Sequence, residues 1–449
     1  MAKIIPFRGI LYNPDKIYDL SDVATPPYDV ISEQDQCYFY DCHPQNVIRL
    51  ILGKIAENDT PENNCHIRAA ACFDQWRSEK VLIQDASPAF YLTSVQFPFE
   101  DQMMTRWGLI ALVGLEPFEK GIVLPHEKTF SKVKSERLEL MKVCHTNFSP
   151  IFSLCSDQDG VLPSLKASVS DRTPDNVFAE KRNGHRHNLW RITAPEVHAY
   201  VSDAMKDSRI FIADGHHRYE TALNYRDWLA AKTPDFSENH PANYVMMYLS
   251  SMEDPGVVIL PAHRMLKGVK PGLLTEFVRK AGSYFDIVRM PYNEKEYSRV
   301  RAEFLAKLKL SEPGGTDRTV FGVSVKDTPE LYLLTLKPGV MKQMFGNEIP
   351  DALRHLDVTV LTRLIFTEML GFDQAGLDNE KLIAYSSIAE EATDAPGTGK
   401  CDISFILNST RIEQVRDIAL KGLIMPRKST YFYPKVITGQ VMNSLRAED

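Results

Sequence analysis

A chain of 449 residues with 44% hydrophobic and 10% aromatic content holds enough apolar material for a large core, divided over two or three domains. Charged residues make up 25% and the formal net charge is −7, so nothing draws the chain generally to nucleic acid or to an anionic membrane, and only a local basic pocket stays open. Seven cysteines without a CxxC pair read as reduced thiols. With no signal-peptide core and no apolar span of membrane length, a cytoplasmic protein is expected.

In chain order, "IIPFRGILYN" reads as a strand and "ATPPYDVIS" as a stiff extended loop, because Pro26 and Pro27 fix φ and bar helix. A helical pattern runs from Asp35 to Lys80. "AFYLTSVQFPF" and "RWGLIALVGLEPF" then read as an antiparallel hairpin around the polar "EDQMMT". "EKTFSKVKSERLELMKVC" predicts an exposed charged helix, "FSPIFSLCS" a short buried strand, and residues 156–189 a polar loop with or without a strand. "SRIFIAD" is a strand, and "YETALNYRDWLAAK" a helix with Ala222, Leu223 and Leu229 on one face. "NYVMMYLSSM" and "GVVILPAHRML" add a second sheet region. The expected architecture is α+β with mixed sheets: a core region over 1–270 with a sub-boundary near 205, a small α/β lobe over 271–345, and a C-terminal α/β region over 346–449.

"FIADGHHRYETAL", residues 211–223, crowds an acid, a glycine, two histidines and an arginine where that strand ends and that helix begins. A helix N-terminus carries unpaired N–H groups and about half a unit of positive charge, which makes the turn a natural anion site. Cationic His216, His217 and Arg218 in the first turn would oppose the dipole by about 0.3–1 kcal/mol each. A bound phosphate would offset that cost, with Arg218 as its bidentate partner and Gly215 admitting close backbone approach. The alternative is structural: Asp214 as an N-cap, neutral histidines, and Arg218 paired with Glu220 or a distant carboxylate.

Other segments offer groups to complete a site. Asp29, beside Tyr28 on the stiff loop, is either a general base, or a magnesium ligand through phosphate, or a cap for the helix after Ser32. Arg8 in "PFRG" is either a phosphate clamp or a surface arginine. "LPHEKTF" sets His126, Glu127 and Lys128 together without the second histidine of a zinc HExxH motif, and reads as a polar loop reaching phosphate or substrate. "MPRKSTYFYPK" carries Lys428, Ser429, Tyr431 and Lys435, which suit phosphate binding and base stacking, or else form a packed strand with solvated lysines. No P-loop, GxGxxG, GxSxG or paired CxxC pattern is found, against a P-loop kinase, a Rossmann dehydrogenase, a common hydrolase and a structural zinc.

"IADGHHRYETAL" resembles the signature of the bacterial and archaeal family known as domain of unknown function 1015. The likeness extends through "PFRG", "ATPPYDVIS", "HPQNVIRLIL", "LPHEKTF", "HTNFSPIF" and "MPRKSTYFYPK", in the same order. More distantly, "DGHHR" resembles the phosphate-binding signature of the ParB and sulfiredoxin-like superfamily, which includes nucleotide-dependent free-serine kinases. Sulfiredoxins carry their catalytic cysteine where this chain has His216, so sulfinic acid repair is not expected. The residues then read as a phosphotransferase using ATP, ADP or another phosphate donor with Mg²⁺ on a small hydroxylated metabolite, for which the resemblance suggests free serine. Gly215 and Arg218 cradle phosphate, His216 or His217 stabilises the transferring group, and Asp29, Asp214 or Glu127 activates the hydroxyl. Asp29 or Asp214 is the carboxylate for the ion. With water as acceptor the same parts make a phosphatase. The rival is a ParB-like nucleotide-binding regulator or DNA-binding protein, which the acidic balance disfavours. The expected partner is a small molecule, not nucleic acid or membrane.

Overall fold

A computed structural model of the chain describes residues 1–129, 131–310, 318–379 and 381–447, with the backbone alone for 131–134 and 310. Packing divides it into two compact units, Met1–Val258 with the residues from Pro434 onward, and Ile259–Tyr433.

The first unit is built on a mixed sheet of nine strands among the described residues. They are β1 (Ile4–Ile5), β2 (Phe90–Phe99), β3 (Gln102–Gly114), β4 (Val123–Leu124), β5 (Ile151–Cys155), β6 (Asn176–Ala179), β7 (Arg186–Ile192), β8 (Ile210–Asp214) and β9 (Tyr244–Ser251). Across the sheet the order is β4-β8-β5-β9-β3-β2-β7-β6, with β1 on β3. β2 and β3 form the expected hairpin, but pairing continues to Phe99 opposite Gln102, which shortens the turn to Glu100 and Asp101. β5 and β9 are buried along their whole length, as strands apolar on both faces require.

Four helices of this unit matter for the site: α1 (Cys65–Ser78), α2 (Ser131–Cys144), α3 (Val161–Ser168) and α4 (His216–Ala230). α3 lies, with β6 and the start of β7, where a polar loop is expected. Gly160 and Pro163 read as turn signals there, yet a proline in the first helical turn removes no hydrogen bond, and Val161, Leu162 and Leu165 bury themselves in the main cluster beside Phe90, Leu109, Ile210 and Met247. α4 buries two sides instead of the one face expected. Tyr219 and Ala222 join the sheet cluster, while Tyr225, Trp228 and Leu229 pack with Leu138 and Met141 of α2. A second core, with Val23, Leu50, Phe73, Leu140, Phe148 and Ile437, ties the N-terminal segment and the chain's last stretch to α1 and α2.

The second unit holds an antiparallel sheet of β10 (His263–Leu266), β11 (Phe285–Pro291), β12 (Val320–Val325), β13 (Glu330–Leu336), β14 (Ile383–Ser386) and β15 (Ile403–Ile406). Its order is β11-β13-β12-β15-β10-β14. β15 sits between β10 and β12, so strands on both sides of the divisions expected at 270 and 345 share one sheet. Pairing between strands so far apart in the chain leaves no local pattern. The architecture is α+β with mixed sheets, as expected.

Candidate functional site

β8 ends at Asp214, and α4 begins at His216 with Gly215 as its N-cap. Asp214 is therefore not the cap. Gly215 has φ of 102°, and a Cβ there would stand 2.9 Å from Arg218 Nε, so both backbone and space require glycine. Having no side chain, Gly215 leaves the first-turn N–H groups without a cap from that position. Arg218 folds back over the turn: Nη2 donates to Asp214 Oδ2 at 2.7 Å, and Nη1 donates to the Pro150 carbonyl. Lys435 Nζ donates to Asp214 Oδ1 at 2.6 Å. All three side chains are largely buried, 11% exposed for Arg218, 14% for Asp214 and 12% for Lys435.

Strand register gathers the motifs. β4 runs parallel to β8 with Leu124 opposite Phe211, which brings the following Pro125 and His126 alongside the end of β8. The His126 N–H donates to His216 Nε2 at 3.2 Å, and the two rings meet edge to face with centroids 4.7 Å apart. On the other side β5 is antiparallel with Phe152 opposite Asp214, and this carries Pro150 to Arg218. Thr25 and Thr438 exchange backbone hydrogen bonds of 3.1 and 2.8 Å, laying the Tyr28–Asp29 loop along the segment that contains Lys435.

The charges of this cluster are sharply sorted. Burial would raise Asp214, but the Lys435 ammonium and Arg218 guanidinium more than reverse it and hold its carboxyl well below the usual carboxylate range. Asp29 moves the opposite way. Surrounding protein and the negative Asp214 push it up against the pull of Arg218 and Lys435, although it keeps a solvent-exposed surface. Burial lowers His126 to about 4 and His216 well below the ordinary imidazole range. With Nε2 accepting, neutral His216 carries its proton on Nδ1. The expected opposition of cations to the helix dipole is thus resolved inside the chain: His216 is neutral and Arg218 is balanced by Asp214.

The remaining expected residues are placed less centrally. His217 is half-buried, and its carbonyl accepts from Thr221 Oγ1 at 2.7 Å. Half-buried Glu127 and exposed Lys128 follow His126, and Thr129 Oγ1 donates to Glu220 Oε2 at 2.5 Å, pinning that loop to α4. Exposed Arg8 donates from Nε to the Asp85 carbonyl at 2.9 Å. Asp29 does not cap the next helix, because Ser32 does so in a capping box with Asp35. The "MPRKSTYFYPK" segment is split between the units after Tyr433, so of its residues only Pro434 and Lys435 belong to the first. Within the second unit Ser429 is 4% exposed with its hydroxyl donated to the Pro426 carbonyl. Lys428 and Tyr431 belong to the same unit, and the Lys428 carbonyl accepts from Arg264 Nη2 at 2.8 Å. Two arginines carry more than the sequence reading allowed them. Arg106, 1% exposed, donates from Nη1 to the Pro434 carbonyl at 2.7 Å and from Nε to the Tyr248 hydroxyl at 3.2 Å; its only signal is a cation heading an apolar strand. Arg137 lies over the Tyr28 ring at 4.1 Å. Among the described residues no group of three or more His, Cys, Asp or Glu side chains is arranged to hold a metal ion, and no helix is long and apolar enough to cross a membrane.

Fold and site together define an α+β protein with a buried carboxylate, guanidinium and ammonium cluster at a strand-to-helix turn. The chain belongs to the family described as protein of unknown function, DUF1015, which matches residues 4–359. That stretch includes the turn and "LPHEKTF", while Lys435 lies beyond it. No curated protein sequence matches the chain significantly. Among solved structures it is remotely similar to a conserved hypothetical protein from Pyrococcus furiosus, at 14% identity and a TM-score of 0.35 over 75% of this chain and 95% of that one. A mutant free serine kinase in complex with ADP is similar at 12% identity and a TM-score of 0.34, over 75% and 92% of the two chains. C-terminally truncated SbnI from Staphylococcus aureus is similar at 11% and 0.34, over 76% and 90%.

Proposed function

We propose that the protein is a phosphotransferase that moves a phosphoryl group from a nucleotide, ATP or ADP, to the hydroxyl of a small metabolite. The observation that carries this reading is a pair of unlike, electrostatically linked carboxyls: Asp214 locked as the anion between Lys435 and Arg218, and Asp29 on the neighbouring loop raised by burial and by the Asp214 charge. Two titratable groups whose surroundings drive them apart mark a division of roles. Asp214 holds two cations side by side next to the first-turn N–H groups of α4, and Asp29 is the proton acceptor.

In the proposed step the acceptor hydroxyl oxygen bonds to the terminal phosphorus while its proton passes to the Asp29 carboxylate. The bond from that phosphorus to its bridging oxygen breaks, and the electron pair stays on the departing nucleotide. Lys435, Arg218 and the first-turn N–H groups meet the charge that develops there. Half-exposed His217 is the histidine available to the transferring group, whereas His216 positions the His126 loop. Mg²⁺, when bound, supplies charge neutralisation across the phosphates. Since Asp214 is taken by two cations and Asp29 serves as the proton acceptor, the ion would be held chiefly through the phosphate groups.

Thermal melts with ATP, ADP and pyrophosphate, with and without Mg²⁺, test the binding half. A ligand at about a hundred times its Kd adds about 2.7 kcal/mol of apparent stability, expected for the wild type and largely lost in Lys435→Met. The chemical half is read by ³¹P NMR with L-serine, the acceptor named for the distantly similar kinases, as the first acceptor offered. A phosphate ester is expected to form, and Asp29→Asn to slow it by on the order of 10²–10⁴ while nucleotide binding persists. If none of the phosphate compounds shifts the wild-type melt, the reading is wrong.

A further inference from the structure

Tyr28 stands next to Asp29, and the guanidinium over its ring belongs to Arg137 of α2. Arg137 is 8% exposed. Its Nη1 donates to the Ile51 carbonyl at 2.6 Å and its Nη2 to Glu136 Oε1 at 2.5 Å. The Nε–H is buried without a partner, an expensive condition for a charged donor. Glu136 does not relieve it, for its side chain is 52% exposed and takes only the Nη2 edge.

Arg137 also stands in the walls of two cavities. One, of about 350 Å³, is lined as well by Ser32, Glu33, Gln36 and Glu136, and its volume suits a small metabolite. The other, of about 60 Å³, has Tyr28, Ser149, Thr221 and Arg218 in its wall. This smaller cavity therefore borders both Arg137 and the arginine of the turn.

We propose that Arg137 anchors the carboxylate of the phosphoryl acceptor, which makes the acceptor class a small hydroxylated carboxylic acid. The inference rests on the phosphotransferase reading of the turn. A planar guanidinium edge matches a carboxylate oxygen in geometry and charge. A phosphate dianion fits this edge less well, because it would lie beside the Glu136 carboxylate. Glu33 and Glu136 in the same wall further favour an acceptor that also bears an ammonium group.

Calorimetric titration of the full chain tests this with L-serine and with serinol, which keeps the hydroxyl and ammonium and carries a neutral hydroxymethyl group in place of the carboxylate. ADP and inorganic phosphate are titrated in parallel. The wild type is expected to bind L-serine about 10-fold or more tighter than serinol. Arg137→Met should lose about 10- to 100-fold in serine affinity, the range of a hydrogen bond to a charged group, and Arg137→Lys should recover part of it. ADP affinity should stay within about twofold in both variants. Equal wild-type binding of serine and serinol would overturn the assignment without any variant, and so holds even if Arg137→Met fails to fold. It is equally overturned if folded Arg137→Met binds serine as well as the wild type does, if inorganic phosphate displaces serine from Arg137 in preference to the turn, or if L-serine, glycerate and glycolate all fail to bind. Serine binding that depends on Arg137 without any ADP binding would sustain the anchor and remove the phosphotransferase reading.

Discussion

Gly215 and Asp214 are neighbours with opposite legibility. The need for glycine is local, a left-handed φ of 102° at the strand-to-helix turn, and the motif announces it. That Arg218 would use the vacated space, 2.9 Å from where a Cβ would stand, is a second, steric reason. Gly215→Ala is accordingly expected to destabilise the first unit by about 1–2 kcal/mol from backbone strain alone, read as a lower urea midpoint. It should also loosen the Arg218 contact with Asp214, read as weaker ADP binding. An unchanged midpoint would mean that the turn relaxes to accept a side chain. Asp214 is different: its residue type suited a cap, a base or a metal ligand equally well, and only the meeting with Lys435 and Arg218 made it the anchor of two cations.

At the level of elements, the site depends on segments held in place from beneath. Arg106 is the clearest case, a buried cation whose bond to the Pro434 carbonyl fixes the residue before Lys435. Arg106→Met leaves that carbonyl without its charged donor and is expected to weaken ADP binding about as much as Lys435→Met does. The double variant should lose little more than either single one, because both changes remove the same ammonium from Asp214. A double-mutant cycle by calorimetry measures this coupling; additive losses would show that Arg106 acts on ADP binding independently of Lys435, and an unchanged affinity in Arg106→Met would show that it acts only on stability. α4 shows why an element can be foreseen while its surroundings are not. Its strand-to-helix start was legible in "SRIFIADGHHR", but a helix packed against both a sheet and α2 buries residues on two sides and shows no single apolar stripe.

Across the whole molecule the buried histidines set the response to acid. His126 in the first unit and His263 in the second are both lowered to about 4 by burial, and burial holds His216 well below the ordinary imidazole range. Since each is depressed relative to its unfolded value near 6.5, the unfolded chain binds more protons below that pH. The stability contributed is present above about pH 6.5 and is lost as pH falls toward 4. Between pH 7 and pH 5 a loss on the order of 2 kcal/mol per such histidine is expected, seen as falling urea midpoints. His126→Gln should reduce that dependence for the first unit, where His216 still contributes, and leave it for the second. The sequence by itself determined the α+β class, the hairpin, the strand-to-helix turn with its glycine and arginine, and the loop stiffened by Pro26 and Pro27, because each of these rests on backbone rules that act over a few residues. Only the tertiary structure decided that Lys435 meets Asp214, that Asp29 feels its charge, that Lys428, Ser429 and Tyr431 belong to another unit, and which of two carboxyls is held ionised. Those outcomes depend on strand register and on desolvation summed over neighbours remote in the chain, and no window of sequence contains either.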